Sequence, residues 1–519
     1  MGALNRFVAI LVADLRERSR SGRFWLMLGT VAAFTWWCFP PIEAGYMTVS
    51  LGAGVRAHYS SAWIGMVLGL MYSTMMSLFG FYLVRGNLVR DFDTRVWQLL
   101  VATPMTRRAY LLAKWASHMT VFLLFLIVGL LVGAIAQVWR GEDPHLDLIE
   151  LVKPALWLSL PALAVTAMFA VLFDLVPWTR RTGGNVLYFF VWITLFTVTF
   201  LVLNPEEVAW ARTTWLSDPN GLALVLRDLQ AHLSVAQPGT VIHGMNIGSS
   251  SFEGGAKLFE WTQWTLRPMD LLGRLLWPLL SVLAVMAMSP WLDWAAARTR
   301  TAATSAADRP GRRLRWLDAL LRPIERFPLG VLVAAELRLV LRQRRRLWWL
   351  AIMVLAAIQT FGSLPAIAIA CIGAWLISID VFSRAVLREH EQATGALMYT
   401  AAGARSRLLR SRVVVATMMA VVPVVPALVR LSSARPEAAT ATLLVALSIA
   451  IGGLAVGALC RNGRPFELLL VLFAYIGIQG QSTLNAVIDP ASTAAQHALL
   501  LPALAVLLIG LWPRFTRVR

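Results

Sequence analysis

Charged residues are scarce in this chain. Asp, Glu, Lys and Arg make up 14% of its 519 residues, against about 25% in ordinary soluble domains. Hydrophobic residues reach 58% and the mean hydropathy is +0.66, which excludes a soluble globular fold and points to an integral membrane protein. Cysteine is almost absent. Cys38, Cys371 and Cys460 are scattered through apolar runs, so neither a disulfide framework nor a metal-ligand spacing exists. Only three lysines occur, Lys114, Lys153 and Lys257; the remaining basic residues are arginine, a bias in keeping with a GC-rich bacterial genome. No cleavable leader is expected, because Asp14 and Glu17 interrupt the first segment and the apolar run that follows is full length.

Catalytic groupings are missing too. No Gly-x-x-x-x-Gly-Lys-Ser/Thr loop is present, and Gly254-Gly255-Ala256-Lys257 has the wrong spacing to cradle phosphates. No Ser/His/Asp set and no pair of catalytic carboxylates stands out. His232, His243 and Met245 share one loop, but their spacing is irregular and no carboxylate or thiolate joins them. His118 reads as a packing residue. The apolar runs hold few titratable groups: Arg274, Asp380, Arg384 and Glu467 lie near run ends. An ion-coupled pump keeps acids or histidines along its pathway, so energy for any transport is expected from elsewhere.

What is present is a series of apolar runs, each near the length a helix needs to cross a bilayer. They lie near 23–41, 61–84, 115–138, 153–173, 185–203 and 271–292, then near 347–364, 366–386, 412–430, 438–460, 466–480 and 495–512. Twelve such segments predict an all-α polytopic membrane protein. With the N-terminus inside, about four-fifths of the 47 Lys and Arg residues fall on the cytoplasmic side, whereas acidic residues divide evenly. The net charge of +19 therefore reflects topology. Nucleic acid is not an expected partner, since no soluble basic domain is present. Both termini are expected in the cytoplasm, and the lipid partner is expected to be a bacterial cytoplasmic (inner) membrane.

The two halves are alike. FVAILVADLRERSRSGRFWLML precedes the first run and VLVAAELRLVLRQRRRLWWLAI precedes the seventh. Each carries an acidic-Leu-Arg triplet, Asp14-Leu15-Arg16 and Glu336-Leu337-Arg338. Leu4, Phe7, Val8, Leu11 and Leu15 recur at helical spacing, and such a helix can lie along the inner membrane surface. After the second run comes RDFDTRVWQLLVATPMTRRAYLLAK, and after the eighth comes REHEQATGALMYTAAGARSRLLRSR. An offset of 300 pairs Asp91 with Glu391, Thr94 with Thr394, Thr106 with Ser406 and Arg107 with Arg407. In the first copy Val96, Leu99 and Leu100 share a helix face, Pro104 forces a break, and Thr106 can cap a second helix running toward Lys114. Residues 293–330, with TRTAATSAADRPGRRLR, read as a flexible linker. Residues 204–270 form one long outer loop containing GLALVLRDLQAHL and the Gly/Ser-rich NIGSSSFEGG. Its length predicts a structure of its own, either a gate or an inert cap. Gly65/Gly69, Gly129/Gly133 and Gly453/Gly457 suit close helix packing.

With these elements in place the chain resembles the membrane subunit of type-2 ATP-binding-cassette exporters. The likeness rests on Leu99-Leu100-Val101-Ala102-Thr103-Pro104, followed by Arg107, Leu111, Leu112 and Lys114. Arg95 and Val96 stand where that family has Gly-Thr; in the second half Gly395 is kept but Gly403-Ala404 replaces Thr-Pro. The resemblance implies two six-span permease halves, 1–292 and 331–519, with elbow helices at 3–20 and 331–346 and coupling segments at 88–114 and 388–412. It implies that this chain is not itself an enzyme and binds no cofactor. Two copies of a separate ATPase subunit would bind ATP and Mg and dock on the coupling segments. Asp91, Asp93, Arg107 and Arg108 would make polar docking contacts, Val96, Leu99 and Leu100 would pack in an ATPase groove, and Thr103 and Pro104 would form the turn. Glu389, Glu391, Gly395, Arg405 and Arg407 would serve in the second copy. Spans 2, 5, 8 and 11 would line the path of an exported hydrophobic or amphipathic substrate, an antibiotic, peptide or lipid. Trp63, Met66, Met71, Tyr72, Phe189 and Phe190 are candidate contacts there, though ordinary helix packing accounts for each as well. Two other readings stand beside this one: a major-facilitator-like secondary transporter, and a membrane enzyme or assembly factor that transports nothing.

Overall fold

The computed structural model of the chain describes residues 3–20, 22–44, 46–51, 55–94, 96, 105–180, 182–202, 218–236, 245–251, 257–295, 315–344, 346–392, 394–478 and 482–516. Eight helices among them are long and apolar enough to cross a membrane: Ser61–Asp93, Arg107–Arg140, Leu148–Leu175, Pro268–Ala287, Leu364–Arg384, Ala404–Ala434, Pro436–Cys460 and Pro490–Phe515. The other four apolar segments are also helical, over Gly22–Trp37, Thr182–Val202, Arg346–Phe361 and Arg464–Ile478. A bilayer interior offers backbone groups no water to bond, so segments of this composition satisfy themselves as helices. The fold is that of a multi-pass, predominantly helical membrane protein. It forms two compact units, Met1–Arg180 with Leu187–Thr304, and Arg181–Val186 with Ser305–Arg519.

In the first unit α1 (Ala3–Ser19) and α2 (Gly22–Trp37) lead to α3 (Ser61–Met71), which passes through a π-helical turn at Tyr72–Met76 into α4 (Ser77–Val84). Gly86, in the left-handed region at φ 93°, then admits a short α5 (Asn87–Asp93). Next come α6 (Arg107–Arg140), α7 (Leu148–Leu175), α8 (Thr182–Val202, which belongs to this unit from Leu187 on), α9 (Leu222–Ala236) and α10 (Pro268–Ala287). Thr106 caps α6 as the sequence predicts, its hydroxyl accepting from the Ala109 N–H at 3.2 Å. The second coupling helix is not a separate element, however. No proline interrupts residues 107–140, so the cap opens a single helix that runs on through the third span.

The predicted Gly pairs lie at close approaches. A Cβ on Gly65 would collide with the Leu151 carbonyl of α7, and one on Gly69 with Leu158; Gly129 faces the Tyr72 ring and Gly133 faces Ile64 and Leu68. At the π turn the Thr74 carbonyl accepts from the Ser77 hydroxyl at 2.6 Å and from the indole N–H of Trp192 of α8 at 3.0 Å. Tyr188 donates to the Ser77 carbonyl at 2.8 Å.

A small sheet that the sequence did not predict is added to the helical fold at the end of this bundle opposite α5. Strands β1 (Tyr46–Leu51), β2 (Val55–Ala57), β3 (Met245–Ser251) and β4 (Lys257–Phe259) form a sheet in the order β3-β1-β2-β4. β1 is antiparallel to β3, with Val49 opposite Ile247, and β2 is parallel to β4. Residues 246–251 of the Gly/Ser-rich stretch are therefore strand, and 252–255 lie outside the described residues. Alternate residues Met47, Val49 and Leu51 are buried, as one face of a sheet requires. The layer is fastened to the bundle. Arg56 grips Glu142 with two bonds of 2.8 and 2.6 Å, Ser60 donates to the Trp261 carbonyl at 2.5 Å, and the Trp264 N–H donates to Glu150 at 3.1 Å. Arg274, buried at the head of α10, donates to the Asp218 and Pro219 carbonyls, each at 2.9 Å. The described part of the outer loop is thus a fixed layer.

The second unit begins inside the segment read as a flexible linker. α11 (Arg315–Leu321) and a 3-10 turn at Ile324–Arg326 precede α12 (Pro328–Arg342). Residues 315–330 are ordered because Leu317 and Leu321, one turn apart, are both buried; residues 296–314 lie outside the described set. There follow α13 (Arg346–Phe361), α14 (Leu364–Ile377), α15 (Ile379–Arg384), α16 (Arg388–Glu391), α17 (Gly395–Thr400), α18 (Ala404–Val421), α19 (Val425–Ala434), α20 (Pro436–Cys460), α21 (Arg464–Ile478) and α22 (Pro490–Phe515). Pro423 sits in the single 3-10 turn that divides α18 from α19. Gly453 and Gly457 of α20 meet Phe382 and Val386.

Candidate coupling site

α5 is a short helix with two unlike faces. Asn87, Leu88, Asp91 and Phe92 are buried, while Arg90, Asp93 and Thr94 are exposed. Leu88 and Phe92 sink into an apolar cluster of Tyr110 and Leu111 from α6, Val171 and Leu175 from α7, and Val285, Met288 and Leu292 from α10 and just beyond. The remaining buried groups are polar and form a closed network around one cation. Lys114 of α6 lies 2.8 Å from Asp91 and 3.0 Å from Asp14 of α1. Asn87 donates to Asp14 at 2.7 Å, and the Tyr110 hydroxyl donates to Asp91 at 2.6 Å. Lys114 is almost wholly buried. A buried ammonium is tolerated only when it is paired and hydrogen-bonded, and two carboxylates from separate elements meet that need. One lysine thereby ties α1, α5 and α6 together.

Further contacts fix the edges of α5. Its preceding turn is held by Asp174, which accepts from the Gly86 N–H at 2.9 Å and pairs with Arg85 at 3.5 Å. Arg180 donates to the carbonyls of Asp174, Leu175 and Ala295 and lies over the Phe92 ring. On the surface Arg90 pairs with Glu17, and Arg107 with Asp293 at 2.5 Å. Exposed pairs of that kind add about 0–1 kcal/mol, so the buried network holds the site.

The sequence-predicted contacts divide accordingly. Asp93, Val96, Arg107 and Arg108 are exposed. Asp91 is not: it points inward and is used by Lys114 and Tyr110. An acidic residue in a polar segment reads as surface unless its buried cation, far along the chain, is known. Leu99, Leu100, Thr103 and Pro104 lie outside the described residues. Of the candidate path residues, Trp63 packs edge-on against Phe259 and Trp261 of the sheet layer, and Met66 and Met71 are buried. The Tyr72 hydroxyl donates to the Phe125 carbonyl at 3.0 Å and meets Thr35 at 3.2 Å. Phe189 stacks on Trp192. These five are buried within the first unit; Phe190 alone of the six is exposed.

The second unit contains a comparable arrangement. Glu389 of α16 is buried and pairs with Arg412 of α18, and the Tyr399 hydroxyl lies 3.4 Å from Glu389. Burial pushes the Tyr399 phenol above its ordinary value. The acidic residue of the elbow, Glu336 of α12, pairs with Arg388. Trp512 of α22 closes the site: Arg412 lies over its ring, and its indole N–H donates to the Arg405 carbonyl at 2.9 Å. His390 packs edge-on against Phe515. Arg405 and Arg407 are exposed, Gly395 begins α17, and the Glu391 side chain lies outside the described residues.

Asp91 and Lys114 are separated by the same number of residues as Glu389 and Arg412. That register is two residues short of the offset read from the sequence. It sets Leu397 and Met398 against Leu99 and Leu100, and both are exposed on α17, Leu397 by 78%. Sequence reasoning missed this apolar pair because it aligned the copies on Asp91 and Glu391; the shared carboxylate-to-cation spacing was the signal that could have found it. Comparisons with protein-family models, with curated proteins and with solved structures return no match for this chain.

Proposed function

We propose that the chain is the permease of an ATP-driven exporter, worked by separate ATPase subunits that dock on its two coupling segments. The observation that carries this reading is the division of labour in α5. One face is welded by Leu88, Phe92 and the Asp14–Lys114–Asp91 network to α1, α6, α7 and α10, while Asp93 on α5, Val96 just beyond it and Arg108 at the start of α6 stay exposed to a partner, with Arg107 exposed in its pair with Asp293. A surface built only to be solvated does not need such anchorage. α6 has 34 residues, so it is about 50 Å long against a hydrocarbon core of about 30 Å. Its first turns extend past the bilayer, and a push at Arg107 is carried across by a single rigid helix.

The matched ion pairs, Asp91–Lys114 and Glu389–Arg412, and the elbow acids Asp14 and Glu336 support a chain of two related six-span halves. On this reading both coupling segments face the cytoplasm of a bacterial inner membrane, each receives one ATPase, and ATP and Mg belong to the partner. Apolar, nearly uncharged spans suit a hydrophobic or amphipathic substrate.

The test is purification from native membranes together with an ATPase encoded beside this chain. We expect vanadate-sensitive ATP hydrolysis to travel with the wild-type chain and to be lost from Leu99→Asp, with helix content unchanged. Transport that needs no ATPase and collapses with the proton gradient would instead establish a secondary transporter.

A further inference from the structure

We infer that residues 315–331, together with the exposed stripe of α12, form a wedge that inserts into the interfacial layer of the membrane beside α13. This goes beyond the reading above and holds whether or not an ATPase docks. α11 is apolar on both sides. Leu317 and Leu321 bury one face inside the unit, yet Trp316 and Leu320, also one turn apart, are 53% and 64% exposed on the other. The surface continues through Phe327, 68% exposed, and Val331, 51% exposed, and then along α12 through Ala335 and Leu339 at four-residue spacing. A contiguous exposed apolar patch of this kind marks an interaction surface rather than solvated protein.

Its position says what covers it. Trp316 packs edge-on against Trp349 with ring centres 5.6 Å apart, and Trp349 packs against Trp348 at 5.0 Å. These three indoles gather at the first turn of α13, whose exposed Leu347, Leu350, Val354, Ile358 and Phe361 form one apolar stripe. Tryptophan clusters at the end of a lipid-facing helix sit at headgroup depth, so the wedge is continuous with the lipid-facing surface. Charge agrees. Arg338 and Arg342 turn inward on Asp318, at 2.8 and 2.9 Å, and Arg338 also takes Glu325. The carboxylates that anionic lipid would repel are thereby neutralised, while Arg322 and Arg326 stay exposed to meet phosphate. Gly330 allows the tight fold, because the Ile324 carbonyl occupies the place a Cβ would take. On α1 the exposed residues are Asn5, Val8, Ala9, Ala13, Arg16, Glu17 and Ser19, with a single large apolar side chain among them, so the wedge is assigned to the second unit.

Nitroxide labels test the wedge. In the full chain, with Cys38, Cys371 and Cys460 replaced by serine, labels go on Leu320→Cys and Phe327→Cys, with Ala402→Cys as the exposed control. The protein is reconstituted in phosphatidylglycerol/phosphatidylethanolamine vesicles, and collision rates with oxygen and with a water-soluble nickel chelate are read by power saturation. We expect oxygen to exceed chelate at 320 and 327 and the order to reverse at 402. Chelate access equal to that at 402 would put the patch in water, and protection from both reagents would mean that protein covers it; either overturns the wedge. Val331→Cys gives the same reading where one of the first two variants does not fold.

Discussion

Lys114 is the residue on which most of the first coupling site converges. It is buried and pairs with both Asp14 and Asp91. Lys114→Met leaves two buried carboxylates facing an alkyl chain, a loss of about 3–5 kcal/mol for a broken buried ion pair. SDS titration of the solubilised chain should show that loss. The double variant Lys114→Met with Asp91→Asn should recover part of it, because residues in one network are not additive; simple addition of the two losses would argue against a shared network. The second unit spreads the same task over two arginines, Arg388 for the elbow acid and Arg412 for Glu389. No single substitution there should release both elements at once.

At the scale of elements, the helices were the legible part. Apolar runs near bilayer length have one self-satisfying solution, so all twelve predicted segments are helical, and the helix α1 followed from three- and four-residue spacing. The sheet was not legible. Its strands are three to seven residues long, and β1 finds its partner β3 nearly two hundred residues later; only that pairing makes NIGSSS a strand. Asp91 was misread for the same physical reason, since its inward turn depends on Lys114 and Tyr110 rather than on its neighbours. α11 escaped notice because Leu317 and Leu321 are too few to register as a period within an Arg-, Ala- and Pro-rich stretch. Its hold on α12 has a pH signature. The hydrogen bond from Arg338, with the charge of Arg342 beside it, keeps the Asp318 carboxyl below its ordinary value. A depressed acid contributes stability above its unfolded value and loses that contribution as pH falls through the folded one. Hydrogen exchange at residues 315–321 should therefore be constant near neutrality and, once corrected for intrinsic rates, faster in acid below the ordinary aspartate range. A uniform response across α11 and α13 would argue against this local latch.

At the scale of the whole molecule, the two units differ at both ends of their bundles. The first carries a fastened sheet layer opposite its coupling segment, and the second carries the exposed apolar surface of α11 and α12. Their candidate coupling segments nonetheless share a buried carboxylate–cation pair at one spacing, with exposed residues beside it. A single chain with two such handles has a stoichiometric consequence. Native mass spectrometry of the complex extracted from its own membrane measures it directly. The account predicts one copy of this chain with two ATPase copies, and a weakened second copy in Leu397→Asp. A chain that leaves the membrane with no ATPase, or that needs a second copy of itself to hold two, would contradict it.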